Sequence, residues 1–285
     1  MSEAVAAAPQ ESLLGRWDQV IRRPDPALRP FVRAYTGYIS RAVPPRSRHL
    51  PSAGVAMIIE FASALRVIGP DTLPDNSQRR TSFVAGMHES YSDTEWLGLS
   101  RGVQVDFTPA GAYLFCGVPM HTLTNRVVAV EDLLGREGVS LVERLMETPG
   151  WDSRFQMLES FVAGRLVCGR EPSHEVMWAW GEIERLGGTA SISALATELG
   201  WSRRRLISRF REQIGVAPKT SARVIRFNRV VQALDGQCEP DWAGVAIQGG
   251  YYDQSHLIRE FREFAGATPE RLLSMRREGG GFSLD

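Results

Sequence analysis

Residues 192–218 read ISALATELGWSRRRLISRFREQIGVAP, and the pattern returns over residues 242–269 as WAGVAIQGGYYDQSHLIREFREFAGATP. Ala196 and Gly200 recur as Ala246 and Gly250, while Leu206, Phe210, Gly215 and Pro218 recur one place later as Leu257, Phe261, Gly266 and Pro269. Self-similarity at a near-constant spacing marks a repeated structural unit. Each unit reads as a short helix carrying a small Ala, a Gly four residues on where the backbone turns sharply, and a second helix with apolar positions four apart. That is a helix-turn-helix. Ser202 and Asp253 stand where N-caps belong, each just ahead of a second helix, so the motifs are expected over 192–214 and 242–264.

The charge distribution supports a role for the first copy. The chain of 285 residues has no net charge, yet the segment 203–229 holds eight arginines and Lys219 against one acid, Glu212, a local charge of +8. A neutral protein with one strongly basic segment is built to set that charge against something anionic. Length and a hydrophobic content of 43% allow a sizeable core and about two domains.

Working outward, residues 1–12 (MSEAVAAAPQES) have no basic n-region and no long apolar run, so they read as a disordered lead-in and not as a signal peptide. Residues 13–168 read as a β-rich effector or dimerisation domain ending in helices. Strands are expected at 32–40, 55–61, 65–69, 81–87 and 103–107, short stretches rich in β-branched and aromatic residues and bounded by turn formers such as Pro44-Pro45, Pro70-Asp71 and Pro74-Asp75-Asn76. They suit a barrel or a sandwich. Helix signals begin at 110–116 and strengthen after Val130, where Leu133, Leu134, Leu141, Leu145 and Met146, then Phe155, Leu158, Phe161, Val162 and Leu166, fit amphipathic helices. Residues 169–174 (GREPSH) form the expected linker. Beyond it, 175–278 is helical, with a long helix over 219–234 joining the two motifs, Ile225, Val230, Val231 and Leu234 inward and Arg223, Arg226 and Arg229 mostly outward. A helix at 270–277 and a flexible tail at 279–285 complete the chain. The expected fold class is therefore α+β: an N-terminal β-rich barrel or sandwich with flanking helices, then an all-α double helix-turn-helix joined by a linker helix.

The paired motifs, the linking run RFNRVVQAL and the run GGYYDQSHLIREFREFAGATP together resemble the DNA-binding module of AraC/XylS-type transcriptional regulators. The N-terminal half is similar, more weakly, to the β-rich sensory domains attached to such regulators, notably around GVQVDFTPAGAYLFCGVPMHTLTNRVVAVEDLLG. The resemblance implies a bacterial, cytoplasmic transcription factor whose N-terminal domain binds an effector or dimerises. Double-stranded DNA is the partner it implies, with a small-molecule effector, RNA polymerase and a second copy of the chain as further candidates. Two departures stand out: Ser208 sits where many members carry an Arg, and Leu257 and Ile258 make the second recognition helix less polar than usual.

Helical geometry then selects the reading residues. With Leu206, Phe210 and Ile214 inward, Ser202, Arg203, Arg204, Ile207, Ser208 and Arg211 lie on or near the outward face, and in the second copy Gln254, Ser255, Ile258, Arg259 and Arg262 do the same. Arg is suited to guanine O6 and N7, Gln to adenine, and Ile258 to a thymine methyl. Arg205, Arg209, Lys219, Arg223 and Arg226 suit phosphates or contacts within the protein. Trp201, Tyr251 and Tyr252 read as packing residues.

The sequence carries no catalytic or metal-binding pattern. His49, His88, His121, His174 and His256 show no metal-ligand spacing, and no GxSxG or Gly-rich phosphate loop organises the Ser, His and Asp residues. No cofactor and no membrane span are expected, and the chain does not read as an enzyme. Cys116, Cys168 and Cys238, scattered and without a CxxC, fit reduced thiols, and Cys116 beside Phe115 is expected to be buried. The alternative is a DNA-targeted enzyme or a Cys-based sensor or repair protein.

Overall fold

The computed structural model describes residues 5–6, 10–12, 15–40, 47–70, 77, 79–96, 98–234, 240–277 and 282–284. Its N-terminal part runs β1 (Val5–Ala6), β2 (Gln10–Ser12), β3 (Gly15–Arg22), β4 (Val32–Ser40), β5 (Ser47–Leu50), β6 (Val55–Glu60), β7 (Leu65–Ile68), β8 (Arg79–Arg80), β9 (Ser82–Ala85), β10 (Ser92–Trp96) and β11 (Ser100–Phe107). Helix α1 (Pro109–Cys116), a 3-10 turn at Met120–Thr122, β12 (Val127–Ala129), α2 (Val130–Glu147) and α3 (Trp151–Cys168) follow.

The strands form two sheets, and neither closes on itself among the described residues. One runs β1-β3-β4-β11-β6-β9-β12 with β2 beside β3. The other runs β5-β10-β7-β8, with a last strand, Phe282–Leu284, lying parallel to β5 at its edge. The barrel alternative is therefore set aside in favour of two facing layers. β11 lies in the middle of the larger sheet, bonded to β4 on one side and β6 on the other. Its Val103, Val105 and Phe107 are fully buried while Gln104 and Asp106 between them are less so, which is the period of two expected of a strand with one covered face.

All five expected strands are present, within a few residues at their ends. Among the strands not anticipated, β3 (GRWDQVIR), β5 (SRHL), β8 (RR) and β10 (SDTEW) are more polar, whereas β12 (VVA) is short and apolar. Inside the stretch expected as a lead-in, β1 and β2 pair with β3, and inside the expected tail Phe282–Leu284 is a strand. Most of the Pro-rich turn signals, and Cys238, lie outside the described residues.

The helical half continues with α4 (His174–Arg185), α5 (Ile192–Glu198), α6 (Arg203–Ile214), α7 (Pro218–Ala233), α8 (Trp242–Gln248), α9 (Gln254–Ala265) and α10 (Pro269–Arg277). Ser173 caps α4, and its backbone N–H and hydroxyl both donate to the side-chain oxygen of buried Gln213 on α6. The connection between the halves is thereby tied to the first motif. A single apolar core runs from Met57, Val105 and Phe107 through Phe115 and Phe155 to Trp180, Phe210 and Ile214, so the β domain and the first motif share one interior. The second motif has its own core, built from Phe227, Val230 and Val231 of α7 with Leu257, Phe261 and Phe264 of α9. Leu50 is the β domain's buried contribution to it. None of the described helices is long and apolar enough to cross a membrane.

Candidate nucleic-acid interface

Each motif is assembled by the same local devices. Ser191 caps α5 and Ser202 caps α6, accepting from the Arg205 N–H at 3.2 Å. Asp241 caps α8 and Asp253 caps α9, accepting from the His256 N–H at 2.7 Å. Such caps satisfy N–H groups that a helix start leaves without partners. At the turns, Gly200 and Gly250 have φ of 64° and 77°, a backbone region that side-chain-bearing residues enter at a cost. The Trp201 N–H donates to the Ala196 carbonyl, and the Tyr251 N–H donates to the Ala246 carbonyl, both at 2.9 Å. The repeat read in the sequence is thus a repeat of hydrogen bonds.

Leu206, Phe210 and Ile214 pin α6 inward, and Leu257 and Phe261 do the same for α9. The opposite faces are open. Ser202, Arg203, Arg204, Ile207, Ser208 and Arg211 are exposed on the first motif, as are Gln254, Ser255, Arg259 and Arg262 on the second, with Ile258 half-buried. An open groove of about 620 Å³ lies between the copies, lined by Arg203 from α6, Lys219 and Arg226 from α7, and His256 and Arg259 from α9. Each recognition helix thus contributes to this groove, α6 through Arg203 and α9 through His256 and Arg259.

The nine cations of the basic segment divide into two sets. Arg203, Arg204, Arg211 and Lys219 are exposed and make no ion pair with a described acid. Arg209 pairs with Glu212 at 2.8 Å, and Arg205 lies 4.4 Å above the Trp201 ring. Arg229 donates to the Gly187 carbonyl. Arg223 and Arg226, expected mostly outward, turn instead onto Glu260 of α9, at 2.7 and 2.8 Å. Glu260 is 2% exposed, so its charge is balanced inside the protein. Arg223 also holds Glu263. Burial alone would lower the Arg223 guanidinium, but its bonds to Glu263 and Glu260 raise it above the ordinary arginine range. These two arginines brace α7 against α9 and are withdrawn from the candidate DNA face.

Tyr251 is buried against this pair, with the Arg226 guanidinium 4.6 Å from its ring. Tyr252 is a correction: read as a packing residue, it is 90% exposed, next to the Asp253 cap at the start of α9. Its neighbour fills the packing role, and a YY pair gives no signal of which ring does so. Cys116 is buried, and burial pushes its thiol up to about 12, where little thiolate forms. Among the described residues no group of three or more His, Cys, Asp or Glu could hold a metal.

The family model described as a helix-turn-helix domain matches residues 195–275, which spans both turns and both recognition helices. Residues 195–275 thus carry a helix-turn-helix domain. A second family model, described as a domain of unknown function (DUF6597), matches residues 21–129 of the β domain. Among solved structures, ToxT from Vibrio cholerae is 13% identical over 91% of this chain and 98% of its own, with a TM-score of 0.45. The C-terminal domain of AraT, a response regulator from Geobacillus stearothermophilus, is 19% identical over 40% of this chain and 92% of its own, with a TM-score of 0.34. The AraC-like transcriptional activator CuxR is 16% identical over 77% and 78%, with a TM-score of 0.26. No curated protein matches. The helix-turn-helix match thus falls on the module whose exposed faces are described above.

Proposed function

We propose that this protein is an AraC/XylS-type DNA-binding transcription regulator that reads two adjacent major-groove segments of one duplex, one with α6 and one with α9, under control of the β domain. The observation that carries this reading is that Arg203 at the start of α6 and Arg259 of α9 line one groove with Lys219 of α7, while Arg204, Arg211, Gln254, Ser255 and Arg262 of the same two helices are exposed. Arg203, Arg204 and Arg211 supply the first helix's base and phosphate contacts, while Gln254, Ser255, Ile258, Arg259 and Arg262 supply the second's, with Ser202 and Ser208 at its partner's rim. Lys219 adds phosphate affinity without sequence information. Two such helices on one rigid linker engage DNA about 34 Å apart, one helical turn.

The control site we assign to the space between the two sheets, a cavity of about 110 Å³ lined among others by Tyr38, His49, Phe83, Thr94, Trp96 and Gln104. Burial, then the charge of Glu60, pushes the Tyr38 phenol well above its usual value, so it is protonated at neutral pH. A pocket wall of phenol, hydroxyl, amide and imidazole groups, with no carboxylate, ammonium or guanidinium among its described lining residues, suits a small neutral effector. We place the protein in the cytoplasm, where its DNA lies.

Selection of bound sequences from a random DNA pool, with and without a metabolite mixture, tests the reading. The expected result is a two-part site with a spacing of about one helical turn, roughly 34 Å. Arg204→Ala should relax the first part and Arg259→Ala the second, each by about 1–3 kcal/mol of discrimination, read by fluorescence anisotropy. Absence of binding at low salt, or binding indifferent to both substitutions, would overturn it.

A further inference from the structure

The two recognition helices are held to the β domain at the same place, their C-terminal ends, but by different means. At the end of α6, the Thr124 hydroxyl donates to the Gly215 carbonyl at 2.9 Å, and around that bond Met120 and Leu123 belong to the same continuous core as Phe210 and Ile214. At the end of α9 the attachment is mainly polar. Arg48 of β5 donates through Nη1 to the Ala265 carbonyl at 3.1 Å while its Nε and Nη2 grip Asp93 of β10 at 2.9 and 3.1 Å. Its guanidinium lies 4.1 Å above the Tyr91 ring, and that ring packs on Gly266, the residue that ends α9. The Ser90 hydroxyl donates to the Glu263 carbonyl at 2.8 Å. A cation at the carbonyl end of a helix also meets the negative end of its dipole.

The strands that carry this clasp also wall the inter-sheet cavity. Side chains alternate along a strand, and the β5–β10 register sets Arg48 opposite Asp93 and His49 opposite Ser92. His49, Ser92 and Thr94 face the cavity, with His49 Nε2 and Thr94 Oγ1 2.9 Å apart, while Arg48 and Asp93 on the other face hold α9. The geometry points to the β5–β10 pair as a relay through which an occupant of the cavity sets the position of the second recognition helix and leaves the first in place. This rests on the proposed control of DNA reading by the β domain, and it adds which head is moved and by which side chains. The occupant is a neutral molecule of roughly benzene size or smaller, since a cavity only moderately larger holds benzene.

Hydrogen exchange of the full chain without DNA tests the relay. Arg48→Ala should speed exchange in α8 and α9 by at least about fivefold while α5 and α6 are unchanged, because only the second motif hangs on the clasp. Ser90→Ala, a half-buried change that spares the ion pair, should act in the same direction more weakly. Ser92→Leu, which fills part of the cavity, should also speed α9 in the wild-type background and add little to Arg48→Ala, as expected of two changes on one path. Equal acceleration of α6 and α9, an unaffected α9, or full additivity of Ser92→Leu with Arg48→Ala would overturn the relay. Since none of these readouts uses DNA, failure of the chain to bind DNA would count against the proposed function and not against the relay. With DNA, Arg48→Ala should weaken binding to the two-part site about fivefold and leave the first half-site alone unchanged, the loss of one preorganised head.

Discussion

The two helix-turn-helix motifs share their caps, their turns and their inward apolar residues, yet they are embedded differently. The first is continuous with the β domain through one core, whereas the second owns a separate core and touches the β domain through Leu50 and a polar clasp. The same local sequence device thus yields one fixed head and one adjustable head. Where the first copy has Arg209, the second has Glu260, and that reversal of charge is what lets α7 take hold of α9 through Arg223 and Arg226.

The comparison can be broken first at the cores. Phe210→Ala and Phe261→Ala should each cost about 3–5 kcal/mol, as truncations of fully buried rings do. Their consequences should differ. Phe210→Ala should lower the unfolding of the β domain and the first motif together, while Phe261→Ala should melt the second motif in an earlier, separate transition. Denaturation followed by Trp fluorescence and by helical circular dichroism distinguishes these, and one shared transition in both variants would contradict two cores.

A smaller contrast lies at the equivalent positions of opposite charge. Glu260→Ala leaves Arg226 partly buried without its acid and Arg223 with Glu263 alone, and should cost about 3 kcal/mol, within the range for broken buried pairs. Arg209→Ala removes a more exposed pair with Glu212 and should cost under about 1 kcal/mol. Comparable losses from the two substitutions, measured by urea unfolding, would show that the charge reversal has no structural consequence. Smallest is the difference between the turns. Gly200→Ala meets no neighbour within 4 Å and should cost only the left-handed backbone, about 1–2 kcal/mol. Gly250→Ala pays that and also brings its Cβ to 2.9 Å from Thr189, so it should lower the melting temperature further.

Much of this was readable because apolar spacing and Gly position are local signals. The motifs, their caps and the strand at Val32–Ser40 follow from residues within a dozen positions of one another. What escaped is what depends on distant partners. Arg223 and Arg226 look outward by helical periodicity, but their partner Glu260 is more than thirty residues away, and only alignment of the repeat upon itself shows an acid where a base is expected. β5 and β10 look like loops because SRHL and SDTEW spend their side chains on the cavity and on α9 and not on an apolar face. The cavity itself has no sequence signature, since a residue lining it and a residue packed in the core are the same types in the same alternation.

The linking helix α7 has one more consequence, concerning phase. Its sixteen residues span roughly 24 Å, and each residue turns the chain by about 100°. Adding a single residue would therefore swing the second head about a quarter-turn around that axis, away from the groove that it shares with the first. Seven added residues would bring it back to within about 20°, and would carry it outward by about 10 Å. If both heads read DNA as proposed, the distance between the two half-sites can change only in steps, because the rod that measures it is also a screw.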